Sequence, residues 1–123
     1  MANLDMFHND PSLRALKAGE VVFSAGDQGD AMYVVVEGSV DIILPDGTVV
    51  ATVAPGGIFG EMAIVDGRER SATATAKEAS KVAPINTRRF TYLVQNTPFF
   101  AIEVMRTMAE RLRTMDAKGI GPV

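Results

Sequence analysis

Ser39-Val40-Asp41-Ile42-Ile43-Leu44-Pro45-Asp46-Gly47-Thr48-Val49-Val50-Ala51-Thr52-Val53 reads as two strands joined by a tight reversal. Asp46-Gly47 supplies the positive φ that such a turn needs and is the best hairpin signal in the chain. Before it, Val40, Ile42 and Leu44 alternate with Ser39, Asp41 and Ile43; after it, Val49, Ala51 and Val53 alternate with Thr48, Val50 and Thr52. A period of two on both flanks is the mark of half-buried antiparallel strands.

The same pattern continues outward. Gly19, Gly29, Gly38, Gly47 and Gly56 recur at a nearly even interval between segments rich in Val, Ile, Tyr and Phe. Short strands at that spacing predict a sandwich or barrel. Further strands are expected at Val21–Ser24, Met32–Glu37, Ser71–Lys77 and Lys81–Asn86. Ala72, Ala74 and Ala76 fall on one face of the third of these and Thr73 and Thr75 on the other, while Pro84 assigns the last to a sheet edge or a bulge. The start has two readings: a helix capped by Asp10-Pro11-Ser12, or a first strand through Leu13 and Leu16. After Thr87 the period becomes helical. Phe90, Leu93 and Val94 fit one short helix, and Thr97-Pro98 opens a longer one. There Ala101, Met105, Met108, Leu112 and Met115 form a narrow apolar seam suited to core packing or a dimer contact. The tail Gly119–Val123 is expected to fray.

Composition sets the limits. A chain of 123 residues, 47% hydrophobic and 22% charged, is a single globular domain. Twelve Lys and Arg against fifteen Asp and Glu give a net charge of −3 with no basic cluster, which excludes a general nucleic-acid binder. The absence of cysteine removes disulfides, thiolate zinc sites and cysteine nucleophiles. His8 is the only histidine and stands in the terminal segment, so neither a histidine metal site nor a Ser-His-Asp set is expected, and no enzyme. The N-terminus has no basic start or apolar core, and the longest aliphatic stretch, Met32–Val36, is too short to span a bilayer. The expectation is a cytoplasmic protein without membrane contact.

The chemistry concentrates between Pro55 and Thr73. Gly60 ends a glycine-rich entry, and Glu61–Val65 reads as one or two turns of helix whose unpaired N–H groups face an anion. Nine residues after Glu61 comes Arg70, the side chain best shaped to grip a phosphate. Glu61 would repel that phosphate, so its role lies elsewhere. A carboxylate only accepts, which suits it to a sugar hydroxyl, or to a basic side chain that positions it. Taken singly, a first-turn Glu is usually there for the helix dipole, and an exposed Arg is usually solvated or paired, here with Glu69 or Asp66. Paired acids such as Asp66 and Glu69 read as loop solvation.

Phe59-Gly60-Glu61-Met62-Ala63 with Arg70-Ser71-Ala72-Thr73 resembles the phosphate-binding cassette of cyclic nucleotide-binding domains. Ala18-Gly19-Glu20-Val21-Val22-Phe23, and Gly29-Asp30-Ala31-Met32-Tyr33 through Glu37-Gly38, match the same family, so the resemblance runs from about Leu13 to Ala117. It implies a mainly β fold, an eight-stranded antiparallel β-roll of jelly-roll type over about 13–86, with C-terminal helices over about 88–117. It also implies that Gly60 allows close backbone approach, that the amides of Glu61, Met62 and Ala63 face the cyclic phosphate, and that Glu61 takes the ribose 2′-hydroxyl. Arg70 holds the exocyclic oxygens and Ser71 adds a hydroxyl donor, with Phe59 and Ala72 completing the ligand site. The helix from Pro98 is the lid, with Arg113 and Met115 as candidates over the base. Glu69 departs from the family, many of whose members carry proline there; in an extended segment it would point away from Arg70. No helix-turn-helix, membrane helices or tandem copy accompany the cassette, so a stand-alone domain is expected. The reading is a non-enzymatic sensor for cAMP, with cGMP second, meeting a second copy or another protein through its C-terminal helix. A roll that keeps the fold as a scaffold without binding nucleotide is the other reading.

Overall fold

A computed structural model describes residues 7–117, with side chains through Thr114. In chain order the elements are β1 (Arg14–Leu16), β2 (Val21–Phe23), β3 (Ala31–Glu37), β4 (Val40–Ile43), β5 (Val49–Val53), β6 (Ile58–Phe59), α1 (Met62–Val65), β7 (Thr73–Ala76), β8 (Ser80–Asn86), α2 (Thr87–Asn96) and α3 (Phe99–Ala117). The strands form two antiparallel sheets, ordered β1-β8-β3-β6 and β2-β7-β4-β5. This is the β-roll with C-terminal helices. The tail at 119–123 lies outside the described residues.

The hairpin forms where expected, with Gly47 at φ +92° and Leu44 N donating to Thr48 O at 2.9 Å. Its second strand departs from simple alternation. Ile42 pairs with Ala51 but Ile43 pairs with Val49, so Val50 is an extra, bulged residue. The bulge resets the phase: Val50 and Val53 are buried, while Val49 turns to solvent.

Two apolar clusters result. One fills the space between the sheets and includes Val35, Val40, Ile42, Phe59, Ala74 and Val82. The other lies between the outer face of the first sheet and the helices, with Phe7, Met32, Val34, Ile85, Phe100 and Val104. β3 feeds both, which is why Met32–Val36 is apolar throughout instead of alternating.

Three expectations are corrected or decided. β8 is interior, between β1 and β3, despite Pro84. β1 pairs only as far as Val82, and the Pro84 carbonyl accepts from Arg89 Nη1 at 3.1 Å, so the side of the strand on which proline lacks a donor is left to a side chain. At the start, the strand reading holds: Asp10 closes a turn by accepting from Ser12 N at 2.8 Å, and β1 follows. On α3 the inward face is Phe100, Val104 and the partly buried Met108, whereas Met105 is 55% and Leu112 45% exposed. Met105 and Leu112 of the expected seam are turned toward solvent while its Met108 packs inward, because Phe100 carries more apolar area than any methionine on the helix and meets Phe90 edge-on at 5.9 Å, fixing which side docks.

Candidate functional site

Gly60, at φ +74°, turns the chain out of β6, and Glu61 follows in helical conformation as the N-cap of the single-turn α1. Glu61 N and Met62 N stand where a helix offers its amides no partner, and Ala63 N reaches Gly60 O only at 3.4 Å. The chain returns through Gly67 to Arg70, whose backbone is tied to the loop after β2: Arg70 N donates to Asp27 O at 2.8 Å and Gly26 N to Arg70 O at 2.7 Å. The Arg70 side chain is therefore built inward, and the residue is only 8% exposed. Nη1 donates to Gly60 O at 2.9 Å and Nη2 to Ala31 O at 2.6 Å, and the guanidinium lies over the Phe23 ring at 3.9 Å. Burial pulls its pKa down, against the opposing pull of Tyr33, Asp30, Asp27 and Glu61. Among the described residues no carboxylate comes within ion-pair distance of it, and its buried Nε has no hydrogen-bond partner. A buried cation solvated by two carbonyls and a ring face keeps most of its charge available to an anion.

Glu61 is 2% exposed, and its carboxylate is paired with a different cation. Arg111 of α3 reaches across, its Nη1 donating to both carboxylate oxygens at 2.8 Å, while its Nη2 donates to Ile58 O. The last turns of α3 are thereby fastened to the head of α1. Between β4, β5, α1 and the Arg70 segment lies an open-mouthed cavity lined by Gly60, Glu61, Ala63, Arg70, Ala72 and Arg111 among others. One wall carries a cation, another a carboxylate, and Phe23, Ile42 and Val50 make the rest apolar. This fits a small anion with an attached hydroxylated, partly apolar body. The described residues hold no cluster of His, Cys, Asp and Glu that could bind a metal.

The model of the cyclic nucleotide-binding domain matches residues 13–97. The chain belongs to that family. It is 36% identical over 98 residues to a cyclic nucleotide-gated potassium channel of Mesorhizobium japonicum, covering 80% of this chain and 27% of the channel. It is 32% identical over 107 residues to the cyclic AMP receptor protein of Thermus thermophilus, covering 84% of this chain and 50% of the receptor. The crystal structure of Thermus thermophilus catabolite activator protein superimposes with a TM-score of 0.76 at 28% identity, covering 94% of this chain and 61% of that one. The chain thus spans about a quarter to a half of the length of these curated relatives.

Of the expected cassette residues, the structure brings Gly60, Glu61, Met62, Ala63, Arg70, Ser71 and Ala72 to one cavity. Phe59 is set apart: it is fully buried, stacked on Tyr33 at 5.2 Å and 6.0 Å from Phe23, so it supports the ring that carries Arg70 and does not line the cavity. Glu69 and Ser71 are exposed while Arg70 and Ala72 are buried, the alternation expected of an extended segment, although Glu69 still stands at the cavity mouth. Arg113 points to solvent, and the Met115 side chain lies outside the described residues. The helix residue at the cassette is Arg111, which the apolar seam concealed. Counting on from Phe100 and Val104 leads to it, and the need of Glu61 for a positioning cation was the chemical signal.

Among the described residues no helix is long and apolar enough to cross a membrane.

Proposed function

We propose that this domain is a sensor that binds a cyclic nucleotide, cAMP ahead of cGMP, performs no reaction on it, and passes occupancy to α3. The observation that carries the reading is Arg70, buried in a cavity wall without a carboxylate partner and sharing that cavity with Glu61. The phosphate would sit between Arg70 and the amides of Glu61, Met62 and Ala63, and the ribose 2′-hydroxyl would donate to Glu61. Ser71, exposed at the mouth, would add a donor to the phosphate. The preference for cAMP rests on Ser71 standing where the family's guanine-selecting members tend to carry threonine, and the likeness to a cyclic AMP receptor protein supports it. Nothing in the cavity suits catalysis: Glu61 is committed to Arg111, and His8 is on the terminal segment. A charged ligand of this kind does not cross membranes unaided, which agrees with action in the cytoplasm. The partner contact expected on the C-terminal helix falls to its outward strip of Ile102, Met105 and Leu112.

Calorimetric titration with cAMP and cGMP tests the reading. Saturable binding, tighter for cAMP, is expected; heat from neither ligand would leave the scaffold reading in possession. Glu61→Gln should weaken cAMP binding, and the loss should shrink for 2′-deoxy-cAMP, which has no hydroxyl to offer. Equal losses for both ligands would move Glu61 to another role.

A further inference from the structure

Gly29, in the loop between β2 and β3, is a glycine that its own backbone does not require: its φ is not in the left-handed region, unlike those of Gly26 and Gly38 on either side. What position 29 lacks is room. A Cβ there would lie 2.5 Å from Arg70 Nε, 2.7 Å from Arg70 Cζ and 2.9 Å from the Ala63 Cβ. None of the three yields freely: the Ala63 Cβ is fixed to the backbone of α1, which would itself have to shift, and the guanidinium is held from three other sides by Gly60 O, Ala31 O and the Phe23 ring. We infer that Gly29 is a positioning residue for Arg70: the missing side chain is the slot into which the arginine folds, and any larger residue expels the guanidinium from the cavity wall.

The surrounding loop is built to hold that slot in place. Gly26 N and Asp27 O take both backbone groups of Arg70, and Gln28 Nε2 donates to Gly67 O at 3.1 Å. Residues 26–31 therefore travel with the cassette, and the wall at Gly29 keeps its distance from Arg70. The partnerless Nε lies on this side, against a Cα hydrogen and not an acceptor, which marks the fit as one of shape alone.

The inference rests on the nucleotide-binding reading for its consequence but not for its test. Gly29→Ala should weaken cAMP binding on the order of tenfold to a hundredfold, the share of one or two misaligned charged hydrogen bonds. The decisive measurement is thermal unfolding without ligand, in a double-mutant cycle with Arg70→Ala. Gly29→Ala should lower Tm while Arg70 is present. With Arg70 removed the fall should be clearly smaller, since only the contact with the Ala63 Cβ then remains and alanine restricts the unfolded chain more than glycine does. Should Arg70→Ala not fold, Arg70→Lys, slimmer at that level, takes its place in the cycle. Equal falls in Tm in both backgrounds, or wild-type affinity in Gly29→Ala, would overturn the inference. A wild-type protein that binds no nucleotide would refute the functional reading alone, because the unfolding cycle still reports on the slot.

Discussion

Replacing Arg111 by methionine keeps the helical bulk and deletes the cation that joins α3 to the cassette. Two responses are open. α3 stays docked and Glu61, 2% exposed, is left as a buried unpaired charge, at a cost of about 3–5 kcal/mol. Or the last turns of α3 lift away and water reaches Glu61. The second is cheaper, because beyond Met108 no described side chain of the helix buries a large apolar group: Leu112 is largely exposed, as are Glu110, Arg113 and Thr114. What is lost is the forked hydrogen bond of Arg111 Nη1 to the Glu61 carboxylate, counted once, and that of Nη2 to Ile58 O, together about 3 kcal/mol if each contributes at the low end of its range. That is roughly a hundredfold in an opening equilibrium. Hydrogen exchange of the ligand-free protein reads it directly. Amides 109–117 should lose on the order of a hundredfold in protection, while those near Phe100 and Val104 keep theirs and the global Tm falls only by a few degrees. Adding Glu61→Gln should then cost little more, since the partner is already gone. Unchanged protection over 109–117 would show that packing, and not the ion pair, holds the end of α3.

Other outcomes follow from single sites. Arg70→Ala should stay folded and lose on the order of a hundredfold or more in cAMP affinity by calorimetry, two charged hydrogen bonds to the ligand being removed. Phe7→Ala should cost about 3–5 kcal/mol in denaturant unfolding, since the ring is fully buried between the first sheet and the helices. Asp10 adds a pH dependence. Burial raises its pKa, but the hydrogen bonds from Ser12 and Arg89, with the Arg89 charge at 2.6 Å, pull further the other way and leave it lowered from 3.8. A depressed carboxylate stabilises the fold above its unfolded pKa, and that contribution disappears as pH falls through the lower folded value. The difference in Tm between the wild type and Asp10→Asn should hold from neutral pH down to about 3.8 and close below it.

The fold was legible because its signals are local: the Asp46-Gly47 turn, the evenly placed glycines and the Thr97-Pro98 opening of α3 all act within a few residues. The errors came where distant groups decide. The bulge at Val50 is defined by its partner strand, and the interior place of β8 depends on where β1 stops and on Arg89 reaching Pro84. The docking face of α3 was misjudged by about one residue, since a seam of methionines looks as good as one led by Phe100 until the surface it meets is known. The cassette was readable by residue type and spacing, but Arg111 lies fifty residues from Glu61 and Gly29 forty-one from Arg70, and no periodicity links such pairs. Phe7 was invisible for the same reason, as one aromatic residue in a segment without a repeat.

The Arg111–Glu61 pair also bears on the sign of any signal. A carboxylate offers about four lone-pair positions, and Arg111 Nη1 occupies one on each oxygen, so a ribose hydroxyl can join without eviction. Arg111 has a second anchor in Ile58 O, which a ligand on Glu61 does not contest. Shared occupancy therefore costs the pair little, and a ligand that desolvates the cavity further strengthens it. By linkage, a nucleotide that prefers the docked helix must raise the population of that state, and whatever holds the helix down must raise affinity for the nucleotide by the same factor. On the proposed reading, a bound nucleotide would fasten α3 and not release it, and the range of the signal would be set by how far the end of the helix is undocked beforehand. Because the described side chains beyond Met108 add almost no apolar burial to the hydrogen bonds of Arg111, a small differential affinity would suffice to shift that equilibrium.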